Sequence, residues 1–237
     1  MLFRSEGVIV QKDELDLVES IGDLGGAATL WVNLGIVYFE KGDENGALPC
    51  FEKGLELCQL LGNKQFTSIA LGCIGNVWRV KGNLEKASEF LDDDLKMCLE
   101  LGDRQGTAIA HELIGRLNLT KGEFAPATQN FEESIKLCRQ LNYQKGVAKA
   151  LQGAGEVAAL ENEYLKAMFH FEEAADIARK INNQLILGQT LVEMGFISLK
   201  VGDFERAKQV QDEVILVAES LGNEKLTAQV EAFLKKI

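Results

Sequence analysis

Apolar residues recur along this chain with a helical spacing, and that helical pattern itself recurs every 40 residues. Starting at Ile21, the sequence realigns with itself at Leu61, Leu101, Leu141, Ile181 and Leu221, without insertion or deletion. Gly35, Gly75, Gly115, Gly155 and Gly195 fall in one column of this alignment, and Ala47, Ala87, Ala127, Ala167 and Ala207 in another. Between the apolar stretches lies a second, shorter punctuation. One column reads Gly22, Gly62, Gly102, Asn142, Asn182, Gly222, and twenty residues further on another reads Gly42, Gly82, Gly122, Asn162, Gly202. Gly and Asn are the residues that best tolerate the left-handed conformation closing a helix C-terminus. The next residue is usually an N-cap type: Asp23, Asn63, Asp103, Asn183, Asn223, then Asp43, Asn83 and Asp203. Glu123, Tyr143 and Glu163 fit that role less well. The pattern predicts an all-α chain in which each unit is a pair of antiparallel helices, A then B, each of about 16 residues or roughly 24 Å. Five full units follow, 21–60, 61–100, 101–140, 141–180 and 181–220, within one array spanning 1–237.

A mid-helix glycine costs about 1 kcal/mol relative to alanine, so five in one column require a packing reason. The absent Cβ on helix A and the methyl on helix B predict close approach of the two helices. In the first unit Trp31-x-x-Leu34-Gly35-x-x-Tyr38, followed by Ala47-x-x-x-Phe51, resembles the tetratricopeptide repeat. Later units keep parts of it, with Trp78 in the tyrosine position and Phe131 and Phe171 in the phenylalanine position. The usual repeat has 34 residues and a closing proline; Gln59, Leu99, Arg139, Arg179 and Glu219 stand in place of that proline here. The resemblance implies an α-solenoid of antiparallel helix pairs forming a right-handed superhelix, and a protein-binding scaffold or adaptor. The long repeat, with Leu61-Gly62-Asn63, Leu101-Gly102-Asp103 and Leu221-Gly222-Asn223 at its joints, is similar to the Pins/LGN group of cell-polarity adaptors.

The ends differ. Residues 221–237 form a sixth helix A, with Val230, Phe233, Leu234 and Ile237 on one face and Lys235 in the glycine column, as suits a terminal cap. Residues 3–20 align with a lone helix B, with Gly7 in the alanine column. Its missing partner suggests either an array trimmed from a longer protein, the favoured reading, or a face for self-association.

Composition narrows the function. A net charge of −11 disfavours nucleic acid and anionic membranes as partners. Five cysteines without a CxxC pair suggest reduced thiols in a cytoplasmic protein. Cys58, Cys98 and Cys138 recur one unit apart, too far for a zinc ligand set, and are expected as small buried hydrophobes. No metal or cofactor is implied. His111 and His170 stand apart from any nucleophile motif, so the chain is expected not to be an enzyme. Asp92 and Asp93 suit a solvated face. Asp94 occupies a column otherwise filled by Gly54, Ser134, Ala174 and Val214, and is expected to find a partner or a local gap. Pro126 falls in the first turn of its helix, whereas Pro49 lies deeper and should make its helix bend or start late.

In the frame that the tetratricopeptide resemblance implies, helices A line a concave groove. Its positions are Thr29, Val32, Ile36 and Phe39; Ile69, Gly72, Asn76 and Arg79; Ile109, Glu112, Arg116 and Leu119; Lys149, Gln152, Glu156 and Ala159; and Gln189, Val192, Phe196 and Leu199. This row has apolar ends and a polar middle, which suits a protein or peptide ligand of mixed apolar and charged character. The Lys/Asn pairs of the chaperone-binding tetratricopeptide clamp are absent, and Leu113, Gly153 and Glu193 depart from the asparagines typical of the Pins/LGN group, so ligands of neither kind are implied. Two alternatives accompany the adaptor reading: a ligand- or peptide-sensing regulatory domain of a larger protein, and a homotypic assembly module.

Overall fold

A computed structural model of the chain describes residues 22–221 and 223–236, together with Leu15, Val18 and Ser20. Among the described residues every regular element is helical: α1 (Leu24–Glu40), α2 (Glu44–Leu60), α3 (Lys64–Val80), α4 (Leu84–Leu101), α5 (Arg104–Lys121), α6 (Phe124–Gln140), α7 (Gln144–Leu160), α8 (Tyr164–Lys180), α9 (Gln184–Val201), α10 (Phe204–Leu221) and α11 (Glu224–Leu234). The chain forms two compact units, residues 1–117 and 118–237, divided within α5. Antiparallel pairs build both: α1 with α2 and α3 with α4 in the first, α7 with α8 and α9 with α10 in the second.

The turns explain the regularity. Gly22, Gly42, Gly62, Gly82, Gly102, Gly122 and Gly202, and Asn142, Asn162 and Asn182, all have positive φ. At the first complete turn the Asp43 N–H donates to the Tyr38 carbonyl at 2.9 Å and the Gly42 N–H to the Phe39 carbonyl at 2.9 Å. That pair of bonds is the Schellman closure, which satisfies carbonyls the helix end leaves open. The next residue then caps the following helix, as when Asp43 accepts from Gly46 N–H at 2.8 Å and Asn83 from Lys86 N–H at 3.1 Å. Glu123, Tyr143 and Glu163 occupy the same place without a side-chain cap bond. Helix α2 starts at Glu44, directly after its cap, so Pro49 does not delay it.

The glycine column admits large side chains rather than alanine methyls. A Cβ on Gly35 would lie 2.6 Å from the Phe51 ring, on Gly75 2.7 Å from Leu91, and on Gly155 2.6 Å from Phe171. The phenylalanine column, four residues after the alanine, therefore supplies the knob, while the alanine keeps the backbones near: the Ala87 carbonyl would be 3.3 Å from a Gly75 Cβ. In the fifth repeat Gln211 replaces that phenylalanine. Phe233 of α11, fully buried, fills the space over Gly195 instead, 2.5 Å from where a Cβ would stand. Leu226 of α11 similarly occupies the place beside Gly188. Helix α11 thus completes the last pair.

Two arginines stand where the shorter repeat closes with proline, and both reach the next helix B. Arg139 pairs with Glu173 at 2.6 Å, linking α6 to α8, and Arg179 with Glu213 at 2.8 Å, linking α8 to α10. Arg206 and Glu172 add a second link between α8 and α10.

At the N-terminus, Leu15 is buried with Ala27, Ala28, Leu34, Cys50, Leu57 and Cys58, and Val18 packs against this cluster. The expected lone helix over 3–20, with its uncovered face, otherwise lies outside the described residues, as does Gly7.

Candidate functional site

The five helices A of the repeats present three accessible columns rather than four. Ile69, Ile109 and Lys149 are exposed, and Thr29 and Gln189 half-buried. Ile36, Asn76, Arg116, Glu156 and Phe196 are half-buried, as are Phe39, Arg79, Leu119, Ala159 and Leu199. The remaining column is not on the surface: Val32, Gly72, Glu112, Gln152 and Val192 are all buried. Val32 and Val192, 2% and 1% exposed, offer nothing to a ligand. The physical reason lies across the helix pair. A Cβ on Gly54 would meet Val32 Cγ2 at 2.7 Å, and one on Gly72 would meet Asp94 Oδ2 at 2.6 Å. This column faces the helix B column of Gly54 and Asp94, and the two exchange volume: a valine opposite a glycine, then a glycine opposite an aspartate.

The accessible polar residues of the first unit are held in place. Asn76 Oδ1 accepts a fork from Arg79, Nε at 3.0 Å and Nη2 at 2.9 Å, one turn along α3. On α5, Arg116 Nε donates to buried Glu112 in an ion pair. Glu112 is therefore the partner that orients Arg116, with only 5% of its own surface exposed. Ile36 and Phe39 lean partly into the core formed by Phe51, Ile74 and Val77.

In the second unit the apolar end of the row is already covered. Phe196 packs edge-on against Phe233, centroids 5.6 Å apart, and Lys236 lies 5.0 Å above its ring. Glu193, a turn before Phe196, is half-buried; desolvation, followed by the nearby charge of Glu156, pushes its carboxyl up to about 7.

Other chemistry-bearing residues are structural. The five cysteines form no disulfide, and Cys50, Cys58, Cys98 and Cys138 are buried. Burial lowers the His170 pKa, with Lys166 adding to the effect, and its Nδ1 is buried without a hydrogen-bond partner. Among the described residues no three His, Cys, Asp or Glu side chains gather as a metal site, and no helix is long and apolar enough to cross a membrane.

Residues 28–59 match the tetratricopeptide repeat family. No curated protein sequence matches the chain. Solved structures share the fold at low identity. A Rap protein complexed with Competence and Sporulation Factor aligns with TM-score 0.78 and 16% identity, over 92% of this chain and 62% of that one. NprR in complex with its cognate peptide NprX gives 0.74 and 16%, over 98% and 67%. Aspartyl phosphate phosphatase F from Bacillus subtilis gives 0.68 and 12%, over 92% and 58%. The chain thus spans about two thirds or less of the length of these relatives in fold. Its fold is an all-α stack of antiparallel helix pairs like that of the tetratricopeptide repeat, whose family model one repeat matches. Such repeats mediate protein or peptide binding and are usually non-catalytic, although a phosphatase is among the structures alike in fold. None of these three structures supports the narrower likeness to the Pins/LGN group.

Proposed function

We propose that the chain is a protein-interaction scaffold whose helix A walls bind a peptide or helix of a partner protein. The observation that carries this reading is the pair of half-buried guanidiniums on the first unit, Arg79 and Arg116, each oriented by a neighbour on the same helix in a protein of net charge −11. A guanidinium so held recognises a carboxylate or backbone carbonyl through forked bonds with little further ordering. Exposed Ile69 and Ile109 on the same two helices supply apolar contact beside them. Glu156, Lys149 and Gln189 give the second unit a different polarity, and Phe196, covered by Phe233 and Lys236, is not part of the proposed contact. The structures of a Rap protein complexed with Competence and Sporulation Factor and of NprR with its cognate peptide, alike in fold, support the reading by analogy.

A peptide-sensing domain of a larger protein is the second reading, favoured by the coverage of only 62% and 67% of those two chains. Both readings share the wall and differ in what the wall controls.

The test is selection of a binding peptide from a displayed random library, followed by calorimetric titration of that peptide against variants. Arg79→Glu should weaken binding at least tenfold, about 1.4 kcal/mol. Lys136→Glu, changing a solvated helix B lysine that pairs with Glu133, should leave affinity within about twofold, roughly 0.4 kcal/mol. Equal affinity for wild type and Arg79→Glu would overturn the assignment of this wall. Arg116→Glu is the poorer probe. It would leave Glu112 buried beside a second carboxylate, a change that destabilises the fold by several kcal/mol.

A further inference from the structure

Asp94 is 4% exposed and sits between α3 and α4. Its Oδ1 accepts from the Ser68 hydroxyl, across the helix pair, and from Cys98 Sγ at 3.5 Å. Ser68 Oγ and Cys98 Sγ are themselves 3.0 Å apart, and both side chains are buried. Oδ2 points into the gap left by Gly72, with Leu113 3.5 Å from where a Gly72 Cβ would stand. The titratable groups that bear on the carboxyl are Cys98 on its own helix and Asp103 in the turn before α5. Helix α3 contributes the Ser68 hydroxyl as a hydrogen-bond donor. Among the described residues no cation bears on Asp94, and the charge of Asp103 opposes its ionisation.

We infer that the Ser68–Asp94–Cys98 cluster is a proton-operated latch in the first unit: with Asp94 neutral it ties α3 to α4, and ionisation of Asp94 loosens that pair. A neutral carboxyl at this place leaves no uncompensated charge in the core, whereas the carboxylate is desolvated with two neutral donors, a hydroxyl and a thiol, on one oxygen. Burial raises the Asp94 pKa to about 6 from an ordinary 3.8, and the hydrogen bonds from Ser68 and Cys98 only partly oppose the rise. The folded value is above the unfolded one, so the latch is fully closed below the unfolded pKa and weakens as pH rises through the folded pKa. From pH 5 to pH 8 the local opening equilibrium should therefore increase about tenfold. Helix α3 also carries Asn76 and Arg79, so the latch acts on one wall of the candidate site, but the latch itself does not depend on what that wall binds.

Hydrogen exchange on the full chain between pH 5 and pH 8, corrected for intrinsic exchange rates, reads the latch directly. Protection of α3 and α4 amides should fall about tenfold across this range in the wild type and should not change in Asp94→Asn. The amides of α7 and α8 are the internal control and should behave alike in both proteins. Parallel pH profiles for α3 and α4 in wild type and Asp94→Asn would overturn the inference. Carboxyl carbon NMR of the wild type supplies an independent reading that needs no variant: a midpoint near 6 supports the latch, and one near 4 refutes it.

Discussion

Replacing Gly155 with alanine adds one methyl at the tightest kind of contact in this fold. The new Cβ would stand 2.6 Å, 2.8 Å and 2.9 Å from Cε1, Cδ1 and Cζ of Phe171, a ring with no exposed surface. Real Cβ atoms do not approach carbon so closely, so the ring or the helix must move. Overpacking of this size costs about 1–3 kcal/mol. The helix itself gains about 1 kcal/mol when alanine replaces glycine, and the net loss is therefore only about 0–2 kcal/mol. A single variant would consequently be a weak test, and a double-mutant cycle is the better one. Phe171→Ala alone should cost about 3–5 kcal/mol through the cavity it leaves. In that background the clash is absent, so Gly155→Ala should stabilise rather than destabilise. Denaturant unfolding of the four proteins should give a coupling of about 1–3 kcal/mol between the two sites. Additivity to within about 0.5 kcal/mol would show that the glycine column is not there to receive the ring.

Two further outcomes follow from named contacts. Phe233→Ala removes the ring over Gly195 and the edge contact with Phe196; α11 should detach, and limited proteolysis should cut within 224–234 far faster than in wild type, at a cost of about 3–5 kcal/mol. Glu193 has a folded pKa of about 7 against an ordinary 4.5, so its protonated form stabilises the second unit at acid pH. That contribution is lost as pH rises through 7, amounting to as much as about 3 kcal/mol. The stability difference between Glu193→Gln and wild type, followed by denaturation between pH 5 and pH 8.5, should widen in favour of the variant.

Features that depend on one turn of chain were legible in the sequence. The Gly and Asn columns mark residues of positive φ, and the caps fall where Asp and Asn follow them, because both depend on backbone geometry within a few residues. What failed was the side-chain frame of the wall. The column that Val32 and Gly72 occupy is buried there because it meets helix B of the same repeat, a contact between residues 22 positions apart in the chain. A signal for it existed: Gly54 stands opposite Val32, and Asp94 opposite Gly72, so the small member of the pair changes sides between the first two repeats. The oddness of Asp94 was visible alone, but its explanation required Gly72 beside it. Phe196 was likewise readable as apolar, whereas its cover by Phe233 and Lys236 depends on the exchange of Phe for Gln211 in a distant column.

The placement of Phe131 has a consequence for how such chains can be edited. Its ring occupies the place where Gly153 of the following helix A would carry a Cβ. Excising residues 141–180, one full period, would preserve every turn and every cap, yet it would bring Glu193 to the position of Gly153. A carboxylate would then be driven into a fully buried phenylalanine. Periodic backbones suggest interchangeable modules, but here each joint is keyed to its own neighbour, so recombination between repeats is free at the level of the main chain and restricted by side-chain volume.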